Sequence, residues 1–169
     1  MDSANTANDK ITELFRLHAD ELLHMNYLYL KDRQLAEDAL SETFLNAYRS
    51  LNKFKNASSE KTWLTRIAIN CCKNIMRSRA YKAYKNVTDL DTELPDYTDE
   101  YSKSEAKICV SEQIAKLELK YREVILLYYY RELTAAQIAK LLKIPRTTVD
   151  YRLRYAKGIL KETLKEFEL

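Results

Sequence analysis

The sequence predicts an all-α protein made of two small helical domains joined by a flexible acidic linker. The chain has 1 Gly and 2 Pro among 169 residues, which leaves little material for β-hairpin turns. Apolar residues recur at helical spacing before Tyr84 and after Ser104, whereas the acidic stretch between them lacks this period. We therefore expect domains at residues 1–84 and 105–169, separated by a linker at residues 85–104.

Three helices are predicted in the N-terminal domain. The first ends near Asp32 and the second near Leu51. The polar segment 52–59 is predicted to be a loop, after which Ser59 can cap a third long helix that extends to about Tyr84. The apolar side of this third helix is assigned to Trp63, Ile67, Cys71 and Ile75, widened by Leu64 and Ala68.

The segment from Glu132 to Lys157 has the pattern of a helix-turn-helix motif. Thr134 and Gln137 have the spacing of a capping box, which predicts the start of a short helix. Pro145 disfavours a helical Ile144 and suits the first turn of a following helix. That helix shows one apolar stripe, and its other faces carry Arg, Thr, Tyr and Lys, as in helices that enter the DNA major groove. From spacing alone, an amphipathic hairpin with a solvated basic face is the alternative.

Charge is distributed in blocks along the chain. Every charged residue from Lys61 to Lys85 is basic, those of residues 89–105 are acidic apart from Lys103, and those of residues 140–161 are basic apart from Asp150. The net charge of +3 is too small to argue for nucleic acid by itself. Two cationic blocks separated by an anionic strip nevertheless indicate two phosphate-facing surfaces and a connector.

The cysteines and histidines exclude several kinds of site. Cys71 and Cys72 are adjacent and Cys109 is remote, so we interpret them as small apolar residues of a reducing compartment rather than as a disulfide framework. The 2 histidines lack zinc-like spacing and no Gly-rich phosphate loop is present, so we predict no metal, no cofactor and no enzyme. Without a signal peptide or an apolar run of roughly 20 residues, the expected location is the cytoplasm, with no membrane insertion.

Three segments together resemble the extracytoplasmic-function (ECF) group of bacterial RNA polymerase sigma factors, of the sigma-70 family. Residues 36–51 (AEDALSETFLNAYRSL) resemble the second conserved helix of the family, and residues 54–79 resemble the loop and helix that hold the −10 promoter element. Residues 117–160 resemble the −35-reading domain. The resemblance implies a sigma factor that binds core RNA polymerase and directs promoter-specific initiation by recognising −35 DNA and by melting and holding −10 DNA.

The resemblance also implies a polymerase-binding surface on the second helix. Acidic residues that flank an apolar anchor suit a basic partner helix, here the clamp helices of the polymerase β′ subunit. Phe44 could instead belong to the core of its own domain. The implied polymerase-binding residues are Glu37, Asp38, Glu42, Phe44, Leu45 and Tyr48.

For the −10 element, the resemblance implies a pocket of small polar groups followed by a basic helix. Lys and Arg would meet phosphates and Asn would read base edges. Trp63 could stack on a base, although its register with Ile67 and Cys71 favours the core. The implied residues are Asn56, Ser58, Ser59, Lys61, Arg66, Asn70, Lys73, Asn74 and Arg77.

For the −35 element, the implied residues lie on the helix that begins near Pro145. The first three would lie close to phosphates, Arg152 and Lys157 would anchor the backbone, and the others would reach base edges. Relatives commonly have Gly where this chain has Lys143, and a basic residue where it has Asp150; we expect Asp150 to alter the −35 preference, since a carboxylate can accept from cytosine N4. The implied set is Arg146, Thr147, Thr148, Asp150, Tyr151, Arg152, Arg154, Tyr155 and Lys157.

Further partners follow from the same resemblance. They are the β flap of core RNA polymerase, promoter DNA and an anti-sigma factor, and the free chain is expected to be a monomer. The acidic linker would thread toward the active-site channel and RNA exit path of the polymerase, unless it is only a solvated tether. The alternative function is a stand-alone helix-turn-helix transcriptional regulator, which would self-associate and bind palindromic sites.

Overall fold

The computed structural model describes residues 2–87 and 105–165, and every regular element within these ranges is helical. The chain divides into two compact units, residues 1–87 and residues 88–169. The predicted all-α, two-domain fold is therefore confirmed. Residues 85–87 belong to a helix, so the predicted linker begins too early, and the rest of that prediction, residues 88–104, lies outside the described residues. In the described part of the chain, no helix is both long and apolar enough to cross a bilayer.

The N-terminal unit is built on three mutually packed helices. They are α1 (Asp2–Leu30), α2 (Arg33–Ser50) and α3 (Glu60–Arg77). A short 3₁₀ turn follows α2 at Leu51–Lys53, and a fourth helix, α4 (Arg79–Val87), follows α3. Small residues of α2 let α1 and α3 approach closely around larger apolar side chains. The fully buried core includes Leu14, Leu22, Met25, Leu28, Ala36, Ala39, Ala47, Leu64, Ala68, Ile69 and Cys72.

The third helix starts where predicted but ends earlier. The Ser59 hydroxyl accepts from the Thr62 amide at 3.1 Å, which confirms the predicted cap. At the other end, extended backbone at Ser78 divides the predicted long helix into α3 and α4. The Ser78 hydroxyl donates to the Ile75 carbonyl at 2.7 Å and accepts from the Tyr81 amide at 3.1 Å. One serine therefore closes one helix and caps the next, because its side chain competes for backbone hydrogen bonds.

The buried side of α3 differs from the prediction by about one residue. Leu64, Ala68 and Cys71 are buried as expected, but Trp63, Ile67 and Ile75 are only half-buried. The inward positions are completed by Thr62, Thr65, Ile69 and Cys72. Threonine can be buried here because its hydroxyl finds a local acceptor: that of Thr65 donates to the Lys61 carbonyl at 2.7 Å. The predicted core position of Trp63, which rested on its register with Ile67 and Cys71, is therefore wrong.

The C-terminal unit contains four α-helices and one π-helical segment in its described part. They are α5 (Glu105–Lys116), α6 (Leu119–Ile125), the π-helical segment Leu126–Tyr130, α7 (Ala135–Leu142) and α8 (Arg146–Lys165). The break between α5 and α6 falls at Leu117 and Glu118. The buried Arg122 side chain donates to the carbonyls of Ala115 and Leu117, both at 3.1 Å, and so satisfies the open end of α5.

The helix-turn-helix forms as the local signals predict. The Thr134 hydroxyl accepts from the Gln137 amide at 3.2 Å, and the Gln137 side chain accepts from the Thr134 amide at 2.9 Å. α7 ends at Leu142, and the next residue, Lys143, adopts the left-handed conformation with φ 56 and ψ 44. The Pro145 carbonyl then accepts from the Thr148 and Val149 amides at 3.0 and 3.2 Å, which starts α8. The turn therefore needs a left-handed residue where this chain has lysine.

Two substitutions should stabilise the C-terminal unit: glycine at the left-handed position of Lys143, and alanine at the helical position of Gly158. A left-handed conformation costs a residue with a Cβ about 1–2 kcal/mol, so Lys143→Gly should recover roughly 1 kcal/mol after the flexibility of glycine is offset. The one glycine, Gly158, lies inside α8 with nothing within 4 Å of an added Cβ. Gly158→Ala should add about 0.5–1 kcal/mol.

Thermal unfolding measures both effects. We expect Lys143→Gly to raise the Tm of the C-terminal unit by about 4–8 °C. Lys143→Ala is the matched control, because it removes the same side chain but keeps the Cβ. Equal melting temperatures for Lys143→Gly and Lys143→Ala would contradict the proposed strain.

Candidate nucleic-acid and polymerase interfaces

The N-terminal half of α8 presents one exposed surface. Val149, Leu153 and Ala156 are buried, and at 100° per residue the opposite side of the helix faces solvent. Four of the residues implied for −35 recognition are exposed there and a fifth, Asp150, is half-buried beside them. We call this set the α8 reading face: Arg146, Thr147, Asp150, Tyr151 and Arg154.

Tyr155 continues the α8 reading face toward α6. Its ring centroid lies 4.5 Å from that of Tyr121 and 6.2 Å from that of Tyr151, which is stacked at 20°. The Nζ of Lys120 lies 4.9 Å from the Tyr121 centroid. The sequence did not indicate Tyr121 or Lys120 as neighbours of this face, because they are more than 25 residues away along the chain. The rigid aromatic row gives α8 a flat apolar edge beside its charged residues.

Three of the implied −35 residues are not part of this surface. Thr148 and Arg152 are half-buried and lie on the opposite flank of α8 from Asp150. The Nζ of Lys157 lies 4.3 Å from the ring centroid of Tyr128 and 5.8 Å from that of Tyr129. Lys157 is therefore held over the π-helical segment by cation–π contact, rather than exposed beside Arg154.

Lys157 also lines a groove of about 710 Å³ in the C-terminal unit. The floor is apolar and the rim is cationic. Burial raises the pKa of Tyr130, opposed by the Ser111 hydroxyl at 3.4 Å, so this phenol stays neutral at ordinary pH. The other lining residues are Val110, Ile114, Tyr129, Leu160, Lys161 and Lys165.

The exposed side of α3 collects most of the residues implied for the −10 element. Because these residues lie on the side opposite Leu64, Ala68 and Cys72, they form one polar and basic surface. We call it the α3 polar face: Arg66, Asn70, Lys73, Asn74 and Arg77.

Lys61 and Trp63 are placed differently from the expectation. Lys61 turns toward α1, where its Nζ lies 3.7 Å from Glu21 Oε2, so the structure does not bring it to the α3 polar face. Trp63 lies on the polar side and is half-buried, with its ring stacked on Phe54 at 4.6 Å and 24°. Phe54 and Trp63 thus form an aromatic platform at the start of α3, and Phe54 was not among the residues implied for the −10 element.

The loop before α3 offers fewer free polar groups than its sequence suggests. The Ser59 hydroxyl is engaged in capping, and it also donates to the Thr62 hydroxyl at 2.9 Å. Asn56 is exposed in a left-handed conformation with φ 54, which asparagine tolerates better than most residues. Ser58 is half-buried beside it. Asn56 therefore exposes its side chain, whereas Ser59 is engaged in capping α3.

The implied polymerase-binding surface of α2 divides into buried and exposed parts. Phe44 is 7% exposed and its ring lies 4.9 Å from that of Phe15 in α1. This packing supports the alternative that Phe44 belongs to the core. Leu45 and Tyr48 are exposed, as is Phe15, for which the sequence indicated no role.

The acidic residues of α2 make local contacts on the helix surface. Glu37 Oε1 lies 3.0 Å from Arg33 Nε, and Asp38 accepts from the Gln34 side chain at 3.1 Å. Glu42 accepts from the Asn46 side chain at 3.3 Å. These pairs are exposed or half-exposed and therefore weak, so a basic partner can displace them at little cost.

Two cysteines are buried, and the described His, Cys, Asp and Glu side chains form no metal-binding cluster. Cys71 and Cys72 are buried thiols outside any disulfide, and burial raises the pKa of the Cys71 thiol, which keeps it protonated. The Cys72 thiol donates to the Asn26 side chain at 3.4 Å. Within residues 2–87 and 105–165, no cluster of His, Cys, Asp or Glu could hold a metal ion.

Two helical units, one with a helix-turn-helix and the other with a polar helix face, define a two-domain helical transcription factor. The family profile for Sigma-70 region 2 matches residues 14–81, and that for Sigma-70 region 4 matches residues 107–160. The chain belongs to the ECF sigma factors of the sigma-70 family. It acts with RNA polymerase in promoter-directed transcription initiation, and sigma factors are known as non-catalytic initiation factors.

Relatives match along almost the whole chain. The ECF RNA polymerase sigma factor SigW of Bacillus subtilis is 28% identical over 171 residues, covering 94% of this chain and 90% of SigW. SigL of Mycobacterium tuberculosis is 31% identical over 155 residues, covering 90% and 88%.

Two solved structures share the fold at 20% identity. The sigma factor RpoE of Bartonella quintana, solved with the anti-sigma factor NepR, has a TM-score of 0.78 and covers 92% of this chain and 97% of RpoE. CnrH, solved with the cytosolic domain of CnrY, has a TM-score of 0.66 over 96% of this chain and 94% of CnrH.

Proposed function

We propose that the N-terminal unit holds the melted −10 strand on the α3 polar face and that the C-terminal unit reads the −35 element with the α8 reading face. The observation that carries this proposal is the sorting of basic and amide side chains onto one exposed side of α3. The protein positions DNA and polymerase and catalyses no covalent step itself. Its working compartment is the cytoplasm.

Holding the −10 strand requires a base to leave the duplex stack. Unstacking costs a few kcal/mol, which a flat aromatic surface and hydrogen bonds to base edges offset. The Phe54–Trp63 platform supplies the apolar surface, and Asn70 and Asn74 supply amide groups. Arg66 and Lys73 lie on the same side of α3 and meet phosphates. The α3 polar face therefore both positions the DNA strand and reads its bases.

Core polymerase binds both units in this proposal. The α2 surface around Leu45 and Tyr48 docks on the β′ clamp helices, with Glu37, Asp38 and Glu42 released from their local partners to meet basic residues. The groove lined by Lys157 and Tyr129 accepts an apolar segment of the β flap. Because CnrH and RpoE were each solved with a partner, and NepR is an anti-sigma factor, we also propose that a protein inhibitor regulates this chain.

Asn and basic variants of the α3 polar face should fail in different ways. Asn70→Ala with Asn74→Ala should slow promoter opening by about 10-fold or more with little change in salt dependence, because amides read bases. Arg66→Ala should reduce the slope of log affinity against log salt by about 0.7 for each lost single-strand phosphate contact. Run-off transcription at several salt concentrations measures both.

A template with a mismatched, pre-opened −10 bubble provides the control. If Asn70 and Asn74 act during melting, this template should restore the initiation rate of the Asn double variant. The salt slope of Arg66→Ala should remain reduced on the same template. An Asn double variant that initiates like the unchanged chain on duplex promoters would contradict the assignment.

The decisive test of function is run-off transcription from a genomic fragment library by purified core polymerase, with and without this chain. Chain-dependent start sites with shared −35 and −10 sequences are the expected result. The absence of such starts would refute the proposal. Tight binding to palindromic DNA without core polymerase would favour the stand-alone regulator instead.

A further inference from the structure

We propose that Asp150 positions Arg146 for recognition of a guanine in the −35 element, rather than contacting a base itself. The inference rests on the proposed function, because it requires α8 to enter the major groove. The Nε of Arg146 lies 3.7 Å from Asp150 Oδ2, one helical turn further along α8. The two side chains are 68% and 44% exposed, so the pair lies on the surface that DNA would cover.

Stability does not explain the presence of this carboxylate. Exposed ion pairs contribute little, and Arg before Asp is the weaker order on a helix. Asp150 also lies beyond the first turn of α8, where a carboxylate would benefit from the helix dipole. It is the one acidic residue among the charged residues of 140–161, so its negative charge weakens phosphate binding by the α8 reading face. A function for the Asp150 carboxylate on this surface is to orient the Arg146 side chain.

The shape of the guanidinium group favours guanine as the ligand. When Nε faces a carboxylate, the two terminal amino groups remain free as a planar fork. Such a fork matches the O6 and N7 acceptors of guanine in the major groove. At 3.7 Å the pair is a loose ion contact in the free chain. Exclusion of water at a DNA interface strengthens such a contact, so the orienting effect is greatest when DNA is bound.

The test uses the full chain with core polymerase in run-off competition on promoters with every −35 base pair varied. Arg146→Ala and Asp150→Ala should each relax discrimination at the same G·C pair, by about 5- to 150-fold. The double variant should relax it no further. Asp150→Glu should largely retain the preference, and Arg146→Lys should behave like Arg146→Ala because lysine lacks the fork. Arg152→Ala is the contrast: Arg152 lies on the opposite flank of α8 from Asp150, so the preference at this base pair should not change.

Each other outcome overturns the inference in a recognisable way. If Asp150→Ala changes preference at a different base pair from Arg146→Ala, or if the double variant combines two separate losses, Asp150 contacts a base directly. An equal loss on all −35 variants would mean that Asp150 affects only phosphate contacts. Chain-dependent initiation with an unchanged preference refutes this inference alone. No chain-dependent initiation by the unchanged chain refutes the proposed function as well.

Discussion

Replacing Phe44 with alanine is expected to lower the free energy of unfolding of the N-terminal unit by about 3–5 kcal/mol. The side chain is almost fully buried and packs on Phe15, so its removal leaves a cavity between α1 and α2. A domain of this size has a total stability of roughly 4–13 kcal/mol. The variant should therefore lose a large share of it, as chemical denaturation followed by circular dichroism would measure.

The neighbouring residue should behave in the opposite way. Leu45 is 44% exposed, so Leu45→Ala should change stability by less than about 0.5 kcal/mol. If Leu45 is an anchor for the β′ clamp helices, the same variant should weaken binding to core polymerase by about 30-fold, the effect of a 2 kcal/mol hot spot. Fluorescence anisotropy with labelled chain and core polymerase measures this loss. Wild-type affinity for Leu45→Ala would remove Leu45 from the interface.

The second large effect is expected at Ile138. Its side chain is fully buried in α7, which packs on α8, and Ile138→Ala should cost the C-terminal unit about 2–5 kcal/mol. Small domains have thin cores, so this loss is enough to leave α8 poorly supported. Hydrogen exchange should accelerate in α7 and α8 and remain slow in the core of α1–α3. Transcription that depends on the −35 element should fall accordingly.

Lys140→Ala is the matched control for Ile138→Ala. Lys140 is exposed on the same helix, and alanine is a good helix former, so the exchange pattern should not change. If Ile138→Ala accelerated exchange equally in α1–α3, the two units would not unfold independently, and the assignment of Ile138 to a separate core would be wrong.

Local signals made two helix starts predictable, although the break at Ser78 was missed. Ser59 and the Thr134–Gln137 pair each determine the start of a helix through hydrogen bonds within three residues, and the spacing of these residues alone predicts that geometry. The resemblance implies a glycine at the position of Lys143, and the backbone adopts the left-handed conformation there although this chain has lysine. The family resemblance, carried by three segments in order, then predicted the function.

Tertiary contacts determined what the sequence could not predict. Lys61 lies on the same side of α3 as Leu64 and Ala68, and there it contacts Glu21 of α1, which is 40 residues earlier in the chain. The spacing of α2 left a core position and a polymerase contact open for Phe44, and its packing against Phe15 of α1 supports the core position. The shift of Trp63 to the polar side follows from two buried threonines that a ranking by hydrophobicity would place outside. These positions depend on contacts with another helix, or on buried threonine hydroxyls that donate to a carbonyl of their own helix.

The left-handed turns have a consequence for how long the protein survives in a cell. Four described residues have positive φ, namely Lys31, Asn56, Glu132 and Lys143, and the single glycine is at none of them. Each turn is held by its neighbours against a local preference of about 1–2 kcal/mol, somewhat less for asparagine. Such turns open more readily to proteases, whereas bound polymerase stabilises the closed state by mass action. Copies without polymerase should therefore be degraded first, which would keep cellular abundance matched to the polymerase available.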